Sequence, residues 1–292
     1  MGPEDSTTVD TREPARRRWS SLRVLTAPRL VLLAGPWVGA AVGMKLVLEL
    51  LDVALLELNP LLSGLVGANV FLLGFLLAGT LADYKESERL PGEVAGAIDA
   101  IADECLIVHA EQGIPEAGRC LEHLEELATT TRAWLHHERA FDDALAAVRG
   151  LNPFFSVFAP LIQAGFTTRL KGEQAQIRRV LIRMDAVRTT SFVAAGYAIA
   201  ELTGVLLILG LLITDIGDLA ESLFFVGVIT LLMTYVFLLI RDLDDPFKYA
   251  GGAEGAADVS LAPLEQVQVR LAAERAGLAM PRPADVSSAA QP

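Results

Sequence analysis

The chain of 292 residues has few cysteines, no excess of positive charge and no short catalytic motif. Its two cysteines, Cys105 and Cys120, do not form the spaced framework of a disulfide-rich secreted domain, so we expect reduced thiols. A net charge of −12 argues against a nucleic-acid partner, because phosphate backbones require a basic face. Neither a Gly-x-Ser-x-Gly motif nor a phosphate-binding loop is present, and we therefore expect no enzyme activity and no cofactor.

Long apolar runs are what the sequence has instead. Its mean hydropathy is +0.43 and 52% of its residues are hydrophobic, although 21% are charged, which is typical of a membrane protein with a sizeable aqueous part. A helix crosses a bilayer with about 20 mostly apolar residues. Four windows approach that length: 30–50, 62–82, 192–213 and 222–240. Residues 1–18 do not resemble a cleavable signal, so the first window is predicted to be a retained anchor.

The distribution of Lys and Arg predicts the orientation of these windows. The connections 51–61 and 214–221 contain no basic residue. Six basic residues precede the first window, twelve lie between Lys85 and Arg188, and five follow the last window. This positive-inside pattern predicts a multi-pass protein of the cytoplasmic membrane, with both termini and the central region in the cytosol.

The central region reads as helix, because its apolar residues recur at spacings of three and four. We therefore predict an all-α membrane protein with four transmembrane helices in two hairpins, and a helical cytosolic domain between and continuous with them. The predicted parts are a cytosolic N-terminal segment 1–29, a first hairpin 30–84, a cytosolic domain 85–190, a second hairpin 191–241 and a largely flexible cytosolic tail 242–292. A short helix is possible in the tail near 264–278, and the apolar segment 151–166 either fills the helical core or lies at the membrane interface.

One face of the second window combines aromatic and small residues. At helical spacing, Gly67, Phe71, Phe75 and Ala78 lie on the same side. Two aromatic rings among small residues fit the lining of a narrow opening, and they also fit close helix packing.

Acidic residues mark the connection 214–221. Asp215, Asp218 and Glu221, together with Glu57, would make an outer mouth negative and concentrate cations, or they would form a merely solvated loop. Within the spans, Glu201 and Lys45 are ionisable, and such groups either carry function or pair with each other.

A metal site receives little support. Cys105 and His109 are four residues apart, and Cys120 and His123 are three apart, so the four could converge if their helices were antiparallel. This spacing matches no standard zinc pattern, and buried cysteines with solvated histidines are the better interpretation. We expect no metal.

Two short motifs resemble a known family. The run Phe71-Leu-Leu-Gly-Phe75, followed by a polar stretch and then Leu90-Pro91, resembles the second transmembrane helix of bestrophins and of the bacterial bestrophin-like domain family. After the last window, Asp244-Asp-Pro-Phe247 resembles the Pro-Phe turn that follows the final membrane segment in this superfamily. The arrangement of two spans, cytosolic helices and two spans agrees as well.

The resemblance implies a pentameric ion channel, usually anion-conducting, whose pore runs along the second helix and narrows at a hydrophobic neck. Phe71 and Phe75 match neck positions, and Gly67 stands where the family has a bulkier apolar residue. The partners implied are inorganic ions, the lipid bilayer and further copies of the chain. Because Lys248 and its neighbours replace the acidic run of animal members, calcium activation is not implied. The alternatives are a non-conducting membrane scaffold or sensor whose cytosolic helices bind a partner, and a transporter that uses Glu201.

Overall fold

The computed structural model describes residues 28–278, apart from 54, 58, 190–193, 250–254 and 256. The predicted N-terminal segment 1–29 and the end of the tail beyond 278 therefore lie almost entirely outside the described residues. The predicted continuity of the central region with the third window also falls there, at 190–193.

Ten helices and one pair of very short strands make up the described part of the chain. In chain order they are α1 (Pro28–Leu50), β1 (Leu56–Glu57), α2 (Pro60–Ser87), α3 (Leu90–Gln112), α4 (Pro115–Leu135), α5 (Phe141–Arg149), α6 (Asn152–Phe158), α7 (Ala164–Thr189), α8 (Ala194–Leu212), β2 (Thr214–Asp215), α9 (Leu219–Leu243) and α10 (Ala262–Leu278). The predicted all-α class is confirmed.

Four apolar helices correspond to the four predicted windows. α1 and α9 are long and apolar enough to cross a membrane, as is the run that begins with α2, whereas the apolar part of α8, Gly196–Leu212, is shorter. These four helices pack around a shared apolar core that includes Leu73, Leu207 and Val226. Much of their remaining surface is apolar and exposed, as expected for helices that face lipid.

The remaining helices surround a second core. α3 packs against α4 and α7, and α10 packs against α3 and α4. Of the two interpretations of segment 151–166, the structure supports the core, because Phe155 and Phe158 of α6 are fully buried there. In the segment that was predicted as a largely flexible tail, α10 contributes Leu264 and Val267 to the same core.

α2 connects the two cores. Its middle contributes Leu73 and Leu76 to the membrane-type core, and Tyr84, near its end, packs against the second core. The helix continues without a break to Ser87, beyond the apolar window, before a turn leads into α3. A single rigid element thus extends from one part of the molecule into the other.

Candidate pore face and outer mouth

The start of α2 is fixed by local chemistry. The Asn59 side chain accepts a hydrogen bond from the Leu62 amide at 3.0 Å, and Pro60 occupies the first turn, where no amide hydrogen is needed. At the other end, the Arg183 guanidinium of α7 donates to both carboxylate oxygens of Glu86, at 2.8 and 2.9 Å. Both ends of α2 are therefore held in place.

The two faces of α2 differ sharply in burial. Asn69, Leu73, Leu76 and Thr80 are buried against the neighbouring helices. On the opposite face Phe71 is 76% exposed and Phe75 is 67% exposed. An aromatic pair that is left uncovered while the other side of its helix is packed marks a surface for lipid or for another copy of the chain.

The small residues of this face leave it open. A Cβ added at Gly67 or Gly74 would meet nothing within 4 Å. The structure thus places Phe71, Phe75 and Gly67 on one uncovered face, as helical spacing predicted.

The structure brings the acidic residues of the two connections together. β1 and β2 pair in parallel, with Leu56 opposite Thr214 and Glu57 opposite Asp215. Glu57 and Asp215 are both exposed, so two carboxylates lie side by side where α2 begins. Asp218 and Glu221, also exposed, follow at the start of α9. Sequence reasoning missed the strand pair, because two residues are too few to give a periodic signal.

Lys45 is buried and pairs locally. Its ammonium lies 2.8 Å from Glu49 and donates to the carbonyl oxygens of Leu212 and Thr214, at 3.3 and 2.6 Å. Leu212 is the last residue of α8 and Thr214 the first of β2, so Lys45 ties α1 to the end of α8 and to the strand that follows it. The suggested pairing with Glu201 is wrong, since Glu201 lies 11 residues before Leu212, about 16 Å along the helix.

Glu201 is exposed on α8. It lines a groove together with Phe237 and Arg241 of α9. Sequence reasoning did not single out Arg241, because its position at the end of the last apolar window fits an ordinary positive-inside residue.

The cysteine and histidine pairs do not form a metal cluster. Within the described residues, no group of three or more His, Cys, Asp or Glu side chains could hold an ion. Cys105 and Cys120 are buried free thiols. The Nε2 atom of His123 is instead hydrogen-bonded to the Ala147 carbonyl oxygen at 2.8 Å. The Nδ1 atom of His109 lies 3.4 Å from the Ile114 carbonyl oxygen.

The Pro-Phe turn joins the two parts of the molecule. The Asp244 carboxylate accepts a hydrogen bond from the Tyr197 hydroxyl of α8 at 2.8 Å. Three residues later Phe247 is fully buried in the second core. Pro246 offers its carbonyl oxygen to the Val259 amide at 2.8 Å. The motif that carries the resemblance therefore has a structural role here.

Solved structures share this fold. A bacterial bestrophin homolog from Klebsiella pneumoniae, solved by Zn-SAD phasing, matches with a TM-score of 0.67 and 18% identity, over 85% of this chain and 97% of that one. Two single-substitution variants of the same homolog also match, each at 17% identity. One has a TM-score of 0.70 and covers 86% of this chain and 98% of its own. The other has a TM-score of 0.68 and covers 87% of this chain and 99% of its own. No family model matches the chain, and no curated protein matches it in sequence. The predicted resemblance is confirmed at the level of the fold.

Proposed function

We propose that this chain, which has the fold of bacterial bestrophin homologs, is one subunit of an oligomeric ion channel of the cytoplasmic membrane. The observation that carries the proposal is the uncovered face of α2, with Phe71 76% and Phe75 67% exposed while the opposite face is packed. In a symmetric oligomer such faces turn toward a common axis, and every side chain on them becomes a ring. A pentamer follows from the resemblance.

In this arrangement Phe71 and Phe75 form two stacked apolar rings. A narrow apolar constriction conducts when it is wet and blocks when it loses its water. Gly67, one turn toward the outside, adds no side chain, so the neck consists of the two phenylalanine rings. Ions do not bind at such a neck, and their selection must take place elsewhere along the pore.

The outer mouth favours cations. Glu57 and Asp215 are neighbours at the start of α2, and Asp218 and Glu221 are close by in the chain. Repeated around an axis, these carboxylates would raise the local concentration of cations and lower that of anions. We therefore propose a channel that prefers cations, although the resemblance by itself points to anions.

The proposed topology has four spans, α1, α2, α8 and α9, in two hairpins. β1 and β2 then lie outside, and the second core lies in the cytosol with both termini. The absence of Lys and Arg from both connections supports this orientation.

Currents across a planar bilayer containing the purified chain test the neck. Wild type should conduct, and Phe71→Ala with Phe75→Ala should raise the resting current at least about tenfold, the effect of a barrier lowered by about 1.4 kcal/mol. The matched control is Phe224→Ala with Phe225→Ala, a pair that is also exposed, at 63% and 46%, but lies on α9.

A chain without current in any condition would contradict the proposal and support the scaffold or sensor instead. The neck assignment fails if the α2 double variant behaves like wild type, or if the α9 double variant shows the same increase. A mass in detergent that corresponds to a monomer or dimer would also exclude a shared central pore.

A further inference from the structure

A groove with two opposite charges runs between α8 and α9. It consists of two adjoining cavities of 280 and 390 Å³ that share Glu201, Phe237 and Arg241. The first cavity is walled mainly by apolar side chains, among them Trp37, Val205 and Ile208. In the proposed topology the groove opens toward lipid, because Trp37 is 67% exposed and Val205 is 51% exposed.

The two charges lie at the same depth. The 2.8 Å hydrogen bond between the Tyr197 hydroxyl and Asp244 fixes the register of the antiparallel helices α8 and α9 at their cytosolic ends. Glu201 follows Tyr197 by four residues, and Arg241 precedes Asp244 by three. Each charge therefore lies about one helical turn, roughly 5.4 Å, deeper in the membrane than this bond.

Neither charge is satisfied by the part of the chain that the structure describes. The hydrogen bonds and ion pairs of that part include no partner for Glu201 or Arg241. The nearest further charge in the groove is Asp244, which already accepts from Tyr197. Unpaired charges at the edge of the hydrocarbon are costly, and a ligand that carries both complementary charges would lower this cost.

We propose that the groove binds a phospholipid of the cytosolic leaflet with a phosphate and a primary ammonium in its headgroup. The Arg241 guanidinium donates paired hydrogen bonds to the phosphate, and the Glu201 carboxylate accepts from the ammonium. One acyl chain lies along Trp37, Val205 and Ile208. The inference rests on the membrane placement proposed above, and it does not depend on conduction.

The carboxylate is what selects the headgroup. An anionic glycerol headgroup would satisfy Arg241 and offer hydroxyl donors, but it would leave Glu201 without a cationic partner and next to further negative charge. A choline headgroup is cationic but has no N–H to donate to the carboxylate. Basic pockets alone favour anionic lipids, so Glu201 is what distinguishes this groove.

Fluorescence of Trp37 in nanodiscs provides the test. Each disc of phosphatidylcholine contains the full chain and a small, equal fraction of one lipid with brominated acyl chains, which quench tryptophan on contact. The lipid is phosphatidylethanolamine, phosphatidylglycerol or phosphatidylcholine, and a Trp37→Phe variant gives the background. We expect phosphatidylethanolamine to be enriched at Trp37 by about tenfold over phosphatidylcholine, which corresponds to about 1.4 kcal/mol.

Two variants separate the contributions of the charges. Glu201→Gln should remove the preference for phosphatidylethanolamine over phosphatidylglycerol, and Arg241→Gln should lower the enrichment of phosphatidylethanolamine to that of phosphatidylcholine. Lys85→Gln and Glu88→Gln, exposed charges at the end of α2 outside the groove, should leave the enrichment unchanged.

Equal quenching by all three lipids, or by none, would overturn the proposal. So would a preference for phosphatidylglycerol in wild type, or an enrichment that survives both groove variants. Relief of quenching by millimolar glycerophosphoethanolamine would support recognition of the lipid through its headgroup. None of these outcomes changes the currents expected from the neck, so the two proposals fail separately.

Discussion

Gly150 ends α5 against His123 of α4. A Cβ added there would lie 2.5 Å from Nε2 and 2.6 Å from Cε1 of the His123 ring. The ring cannot move away freely, because Nε2 bonds to the Ala147 carbonyl oxygen at 2.8 Å and the ring lies 5.6 Å from that of Phe154. The glycine is thus required by a close approach, at a φ of −60° that any residue adopts.

Gly150→Ala should therefore lower the free energy of unfolding by about 1–3 kcal/mol, the usual cost of overpacking a well-filled site. Thermal unfolding in detergent measures this change. Gly118→Ala in the first turn of α4 is the matched control, because its new Cβ meets nothing within 4 Å. It should instead be neutral or stabilise the helix by up to about 1 kcal/mol. Equal effects of the two variants would contradict the explanation.

Individual residues were predictable from the sequence where a local pattern decides their position. Helical spacing is sufficient to place Phe71 and Phe75 on one face of α2. Two partners of Lys45 were not predictable, because they are backbone carbonyls more than 160 residues away in the chain. Every residue has such a carbonyl, whatever its type. A long-range bond to the backbone leaves no signature in residue types.

At the level of elements, α10 shows that an amphipathic pattern predicts a helix but not its packing partner. Its apolar positions predict a helix near 264–278, but they do not say which surface the helix covers. In the structure three ion pairs hold it in place. Arg132 pairs with Glu265 and Arg275 pairs with Glu125, both at 2.5 Å, and Arg270 pairs with Asp99. Leu264 and its neighbours supply the buried contact beneath these pairs.

Glu274 of α10 makes this contact sensitive to pH. Burial raises the pKa of its carboxyl, and the nearby carboxylates of Asp103 and Asp99 raise it further, against a smaller opposite effect of Arg270. The charged form is therefore disfavoured in the folded state. As the pH falls through this raised pKa toward the ordinary value of 4.5, the penalty is relieved, so the contribution of this carboxyl to stability should increase as the pH falls.

Glu274→Gln should remove the penalty. The variant should be more stable than wild type near pH 8, by under about 1 kcal/mol because the group is partly exposed, and the difference should shrink near pH 5. Thermal unfolding across this pH range measures it, with Glu138→Gln, an exposed carboxylate after α4, as the control. A difference that is constant with pH, or that grows in acid, would contradict the assignment.

The part of the chain that the structure describes forms two cores that share α2. The sequence predicts this division well, because apolar windows and charged amphipathic stretches differ strongly in composition. It does not predict that β1 pairs with β2, since the two strands are far apart in the chain and only the packing of the apolar helices brings them together. This pairing sets Glu57 beside Asp215 and turns two polar loops into one acidic surface.

The acidic surface gives a prediction for the proposed channel. Glu57→Gln with Asp215→Asn should lower cation current about two- to fivefold at about 0.01 M salt, and should have little effect at about 1 M, where the Debye length is only about 3 Å. Currents under both conditions, with reversal potentials in a salt gradient, measure the change. The control is Glu111→Gln with Asp142→Asn, two exposed carboxylates of α3 and α5. If the outer variant behaves like the control at low salt, or if wild type prefers anions in the gradient, the acidic surface does not select ions.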